Sequence, residues 1–218
     1  MTTIADFSTL KAQVQTYCAR TDSTFSNMVE TFVAGAEHRI FHGAGRPGDP
    51  LYSPALRADV IESVTSLATG SDGAVALPSG TLDVRGLTVG GQDTELKYKD
   101  PQRFKEWIEL GATGDPQYYT VEAGTLKIAP AGVATLLVTA LTQPAALTVE
   151  NPTSTVLTAH PMLYLNATLF EAFTFLRNAE LAAAYLARYR SLVEGVNKTA
   201  QRRRMLSGAM ALSFEPIA

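Results

Sequence analysis

His38 and His42 stand four residues apart, and on a helix that spacing puts both imidazoles on one face, within reach of one metal ion. Glu37 or the distant His160 would have to supply a third ligand. The helical zinc-hydrolase pattern needs a glutamate directly after the first histidine to act as base, and here Arg39 follows. Two ligands without a base predict two amphipathic side chains near a helix end, not a metal centre. The Gly86-Leu-Thr-Val-Gly-Gly run has glycines but no Lys-Ser or Lys-Thr pair behind it to reach phosphates, so it is expected to be a turn. Gly70-Ser-Asp-Gly73 has the wrong spacing for a nucleophile elbow, and no helix follows it. Cys18 falls on the apolar stripe of a helical segment, which predicts a buried small hydrophobe. Asn166-Ala-Thr168 and Asn197-Lys-Thr199 match glycosylation acceptors, but both fall inside predicted helices, and no secretion leader is expected from residues 1–10. The expectation is therefore no catalytic residue, no cofactor and no metal.

Arg202-Arg203-Arg204 is the sharpest charge feature. Three arginines at a helix C-terminus are favoured by the helix dipole, and they also suit a contact with an acidic partner. Met210, Leu212, Phe214 and Ile217 follow, spaced mostly two apart as an extended, one-faced segment would be. A partner-binding element made of Arg202, Arg203, Arg204, Met210, Leu212, Phe214 and Ile217 is expected there, by strand addition or by filling a groove, the alternative being that the apolar segment packs back on the chain's own β structure.

The elements that must position these residues can be read from periodicity. Phe7, Leu10, Val14, Tyr17 and Cys18 form one helical stripe, and Phe25, Met28, Val29, Phe32, Val33, Ala36 and Ile40 form a second, with Asp22 or Ser23 as its cap. That helix ends near Gly43, where a glycine- and proline-rich loop begins. Short β runs follow around Val60 to Leu67, Ala74 to Leu77, Leu82 to Val84 and Thr94 to Tyr98, then a short helix from Pro101 to Leu110. Tyr118 to Glu122 and Thr125 to Ala129 flank Ala123-Gly124 as a hairpin, and Val133 to Leu141 adds a strand. Thr158 and Pro161 open a helix carrying Met162, Leu165, Leu169, Phe173 and Leu176; after a break at Arg177-Asn178 a further helix runs from Leu181 to Arg204 and stops at Ser207-Gly208. The fold class is α+β: N- and C-terminal helices packed as a helical bundle with a central antiparallel β insertion. The expected divisions are 1–45 with 153–207 for the helical core, 55–150 for the insertion and 208–218 for an extended tail.

Composition agrees with a folded chain. Of 218 residues, 46% are apolar and 18% charged, which is unlike a disordered protein. The single cysteine excludes an internal disulfide framework. The longest apolar stretch, Val133 to Leu141, is too short to span a bilayer, so no membrane is expected among the partners. The formal net charge of −3 gives no global reason to bind nucleic acid. Its distribution is uneven, however: residues 177–206 carry seven basic and two acidic side chains, and the remainder is strongly acidic. A self-associating protein of this kind favours head-to-tail contacts over like-with-like ones.

In the order and spacing of several short motifs, the chain resembles the head–tail connector adaptors of tailed phages. The N-terminal match is Tyr17, Arg20, Asp22 and Ala36-Glu37-His38-Arg39-Ile40. The middle match is Gly114-Asp115-Pro116-Gln117-Tyr118-Tyr119-Thr120 with Gly124-Thr125-Leu126-Lys127-Ile128-Ala129-Pro130. The densest match joins Asn151-Pro152, Val156-Leu157, His160-Pro161-Met162-Leu163-Tyr164-Leu165 and Glu171-Ala172, and closes with Glu180 and the Arg204 to Gly208 boundary. The chain departs from the pattern at Ala129-Pro130-Ala131, where a doubled proline is usual, and at Ala140-Leu141, where a tyrosine commonly ends the strand.

The resemblance implies a structural virion component with no catalytic residues, assembled in the host cytoplasm and placed in the neck of the particle. It would form a ring of about twelve copies. Its partners would be itself, the portal protein, tail or nozzle proteins, and passing double-stranded DNA bound without sequence specificity. The C-terminal segment would then be the portal-binding element. An acidic body would let DNA slide, whereas a basic lumen would hold phosphates. Within the virion the rival reading is a tail-tube or stopper neck protein. From other classes, the rivals are a nucleic-acid-binding module using the basic C-terminal helix and a small metallohydrolase using His38 and His42. The acidic remainder and the lack of interleaved aromatic and basic residues argue against the nucleic-acid module.

Overall fold

The computed structural model describes residues 4–90, 95–109 and 113–212. The chain divides into two compact units, residues 1–61 with 144–218, and residues 62–143.

The first unit is helical, and its helices start where side chains can satisfy orphaned backbone donors. Asp6 accepts the Thr9 N–H at 2.8 Å, while the Thr9 hydroxyl accepts the Asp6 N–H at 3.1 Å, opening α1 (Phe7–Cys18). Asp22 accepts the Phe25 N–H at 3.0 Å and opens α2 (Ser23–His42). The Thr9 N–H bond holds the Asp6 carboxyl below its usual range, and the Arg20 guanidinium does the same for Asp22. α2 buries Phe25, Val29, Phe32, Val33, Ala36 and Ile40 of the stripe that its sequence predicts, while Met28 is only half-buried. Gly43 closes it at φ 73°, where a Cβ would meet the Ser53 carbonyl oxygen at 2.8 Å.

The C-terminal helices depart from expectation at both ends. Thr158 is not the cap. Ser154 accepts the Leu157 N–H at 3.1 Å and opens a separate short helix, α4 (Thr155–Ala159), in which the Thr158 hydroxyl donates back to the Ser154 carbonyl at 3.0 Å. Pro161 keeps His160 out of the helical basin (φ −137°, ψ 61°), so α4 stops and α5 (Pro161–Phe175) begins afresh with proline at its start. α5 is buried on almost every side, packing against α1, α2, α4 and α6 (Ala179–Leu212). Between α5 and α6, Arg177 takes the left-handed conformation (φ 57°), and the Asn178 N–H donates to the Phe173 carbonyl at 3.0 Å.

α6 runs through Ser207-Gly208 to Leu212, so the expected stop and the start of an extended tail there are corrected. One Ser-Gly step costs a helix only about 1 kcal/mol relative to alanine, and Ala209 to Leu212 are strong helix formers. Residues 213–218, with Phe214 and Ile217, lie outside the described residues.

The second unit holds two sheets. One has the order β1 (Glu62–Ala68), β7 (Thr135–Thr142), β3 (Thr81–Val89), all antiparallel. The other has the order β2 (Ala74–Ala76), β6 (Thr125–Ala129), β5 (Tyr118–Glu122), β4 (Lys97–Tyr98). It is antiparallel except for the two-residue parallel pair of β4 and β5. Leu87, Leu136, Val138 and Ala140 from one sheet share a core with Tyr119, Leu126 and Ile128 from the other. α3 (Pro101–Glu109) packs beside β5 and β6. The β5–β6 hairpin has the predicted boundaries, with Ala123 and Gly124 both at positive φ in its turn. Gly86 corrects another expectation: it sits within β3 at a register shift, not in a turn, and a Cβ there would lie 3.0 Å from a Glu95 carboxylate oxygen.

The two units meet the sequence at 61/62 and 143/144, inside the expected insertion of 55–150. The flanks belong to the helices for a physical reason. Leu56 and Leu147 are buried, and they are tied down by bonds from Leu56 N–H to the Ile40 carbonyl and from Leu147 N–H to Glu37.

Candidate interaction site

Among the described residues, those with catalytic potential do not converge. His38 and His42 face one another with ring centroids 5.0 Å apart, but both are exposed, and no group of three His, Cys, Asp or Glu side chains arranged for a metal occurs among the described residues. His160 belongs to the α4–α5 junction, and burial lowers its pKa, favouring the neutral ring. Cys18 is half-buried rather than buried, and desolvation pushes its thiol up to about 11, so little thiolate exists near neutrality. Asn166 is buried and donates to the Met162 carbonyl at 2.6 Å, while Asn197 bridges the Arg57 N–H (2.7 Å) and the Ala55 carbonyl (2.9 Å). Neither amide is presented to a glycosylating enzyme.

The motif residues that carried the family resemblance are instead structural anchors. Glu37, only 4% exposed, accepts the Tyr164 hydroxyl and the Leu147 N–H, each at 3.0 Å, and the Ser154 hydroxyl in turn donates to the Tyr164 oxygen at 3.4 Å. One carboxylate thereby ties α2, α5, the α4 cap and the chain returning from residue 143. Burial raises the Glu37 carboxyl above its usual range and the Tyr164 phenol well above its own. Arg39, on the same helix, donates to Glu171 at 3.3 Å, to the Leu51 carbonyl at 3.2 Å and to the Ser53 hydroxyl at 3.3 Å, and lies 4.3 Å from the Phe170 ring centroid. The Tyr189 hydroxyl donates to the Arg39 carbonyl at 3.2 Å, fastening α6 to α2.

The surface of this unit keeps apolar material in water. Phe175 and Leu181 are exposed at the α5–α6 turn, and Tyr17 is edge-on to Tyr185, itself stacked on Phe173 at 5.3 Å. Further along α6, Leu192 and Val196 line a groove of about 610 Å³ with His160, Asp59 and Arg203. Single exposed apolar side chains are ordinary; several along one helix mark a surface that meets something.

Of the predicted partner-binding residues, Arg202 and Arg203 are exposed on α6, while Arg204 is partly buried and bridges to Asp59 at 3.2 Å. That third arginine therefore helps fasten α6 to its own unit. Met210 and Leu212 extend the same helix, and Met205 before them is 63% exposed. Sequence reasoning missed a second groove beside the α5–α6 turn, lined by Leu51, Phe170, Ala183, Leu186, Arg177 and Arg190. No local signal points to it, because Pro50-Leu51 and α6 come together only through the tertiary fold.

The helical unit thus combines buried polar anchors with exposed apolar side chains. Residues 5–212 match the family model described as SU10 adaptor protein. The chain belongs to that family, one of phage head–tail adaptors, and such a family implies a virion component with a structural role. No curated protein matches the chain significantly. Among the described residues no helix is long and apolar enough to cross a membrane.

Proposed function

We propose that the protein is the head–tail adaptor ring of a tailed-phage neck, docking beneath the portal, prolonging the DNA channel and presenting a lower face to tail or nozzle proteins. The observation that carries this reading is the family match over nearly the whole chain, 5–212. It is supported by the exposed apolar residues of the helical unit, which a ring neighbour would cover. The ring would hold about twelve copies. Arg202 and Arg203, with Met210 and Leu212 further along the same helix, are the element we assign to docking on the portal. Their charges steer encounter with an acidic partner surface and set its salt sensitivity more than its final affinity. The acidic remainder of the chain suits passage of DNA without retention, since contacts between basic side chains and phosphates would add affinity.

Imaging of purified protein mixed with portal tests this directly. Rings on the portal are the expected result, and a chain that stays monomeric with portal present would overturn the adaptor reading.

A further inference from the structure

The groove beside the α5–α6 turn has a volume of about 420 Å³ and a lining that specifies its ligand. Leu51, Phe170, Ala183 and Leu186 give it an apolar floor, while Arg177 and Arg190 add two positive charges. One Arg190 terminal nitrogen donates to the Pro50 carbonyl, yet its buried Nε has no hydrogen-bond partner among the described residues. Arg177 makes no ion pair with a described residue and holds a left-handed backbone that glycine would adopt with less strain. The positive end of the α6 dipole lies at the same place. Together these fit a short peptide with apolar side chains and one carboxylate.

This chain contains such a peptide, Phe214-Glu-Pro-Ile217. It cannot enter the groove of its own copy. From Arg190 to Leu212 the helix advances about 33 Å, and the five residues from Leu212 to Ile217 span at most about 18 Å when fully extended. We propose that residues 214–217 of one copy dock in the α5–α6 groove of the neighbouring copy, with Glu215 facing Arg177 and Arg190. The contact is head-to-tail, so it closes into a ring or continues as a chain depending on the rotation between copies. It rests on the ring reading above, and it gives the segment after α6 a different partner from the portal.

The test uses full-length chain, with Cys18→Ala throughout, assembled on portal. Ala183→Cys combined with Ile217→Cys should give, on oxidation, a ladder of disulfide-linked copies that neither single cysteine gives. Arg177→Glu should lower the yield of that ladder roughly five-fold, as should Glu215→Arg, and the two together should restore it. Rings without the ladder would overturn the docking while leaving the adaptor reading intact. So would capture of portal, rather than a second copy, by a maleimide–benzophenone probe attached to Ile217→Cys. Absence of rings on portal would overturn the adaptor reading and this contact with it.

Discussion

The Tyr164 hydroxyl donates to the Glu37 carboxylate across 3.0 Å, with both side chains almost wholly removed from water. Glu37→Ala would leave that hydroxyl and the Leu147 N–H without an acceptor and open a void. A loss of about 2–4 kcal/mol is expected by chemical denaturation. Glu37→Gln keeps an acceptor for both donors and should cost much less. The two variants also separate in their pH dependence. Burial raises the folded-state pKa of Glu37 above its unfolded value, so the folded chain holds the proton more tightly. Its contribution to stability is complete below the unfolded carboxyl range and is lost as pH rises through the raised folded value. Stability measured upward from pH 4 should therefore carry a falling component in the native chain that is missing from Glu37→Gln.

Asn197 reaches from α6 to two backbone groups of the segment leading to the β unit, Arg57 N–H and Ala55 carbonyl. Asn197→Ala should destabilise by about 1–3 kcal/mol, because both backbone groups lose their partner. Asn197→Asp should recover only the Arg57 bond. Thermal unfolding of the three proteins orders them native, Asp, Ala.

Ala123 occupies positive φ (47°) in the β5–β6 turn, a conformation that asparagine and glycine tolerate better. Ala123→Asn or Ala123→Gly should stabilise by roughly 0.5–1 kcal/mol, the reverse of a typical surface substitution. A lowered denaturation midpoint for both would show that the turn relaxes away from this geometry.

His38 and His42 are expected to bind no metal that matters. Added zinc should leave the unfolding temperature unchanged, and His38→Gln with His42→Gln should leave portal binding within two-fold, a difference of about 0.4 kcal/mol. Loss of portal binding by a well-folded double variant would reopen a role for the pair.

Where one local signal dominated, the sequence was enough. Alternating residues around Ala123-Gly124 gave the β5–β6 hairpin to the residue, and the 3.6-residue stripe located α2, with the choice between Asp22 and Ser23 as its cap left to the structure. Long-range choices were less legible. Thr158 and Ser154 are both plausible caps in isolation, and only the position of Pro161 relative to His160 decides between them. Ser207-Gly208 reads as a stop, yet the helix formers on either side outweigh it. Gly86 reads as a turn because a bulge in a strand uses the same residue. The anchors were visible as motif letters, but not as a network. Glu37, Leu147, Ser154 and Tyr164 are brought together across more than a hundred residues, and no local pattern carries that distance.

The antiparallel pairing of β1 with β7 has a consequence for how this chain folds. Glu62, the first residue of the insertion, lies opposite Leu141, two residues before its last. Paired partners in such a ladder are only about 5 Å apart. The helical core must bring α1 and α2 against α5 across a sequence gap that would otherwise be a long loop with a matching entropy of closure. Once the sheet has formed, that gap shrinks to the width of a hairpin. The insertion thus acts as a clasp that shortens the chain for the helices on either side. A change in its length at the β2–β3 or β3–β4 connections leaves the span of the clasp, and so the search the helices must make, as it was.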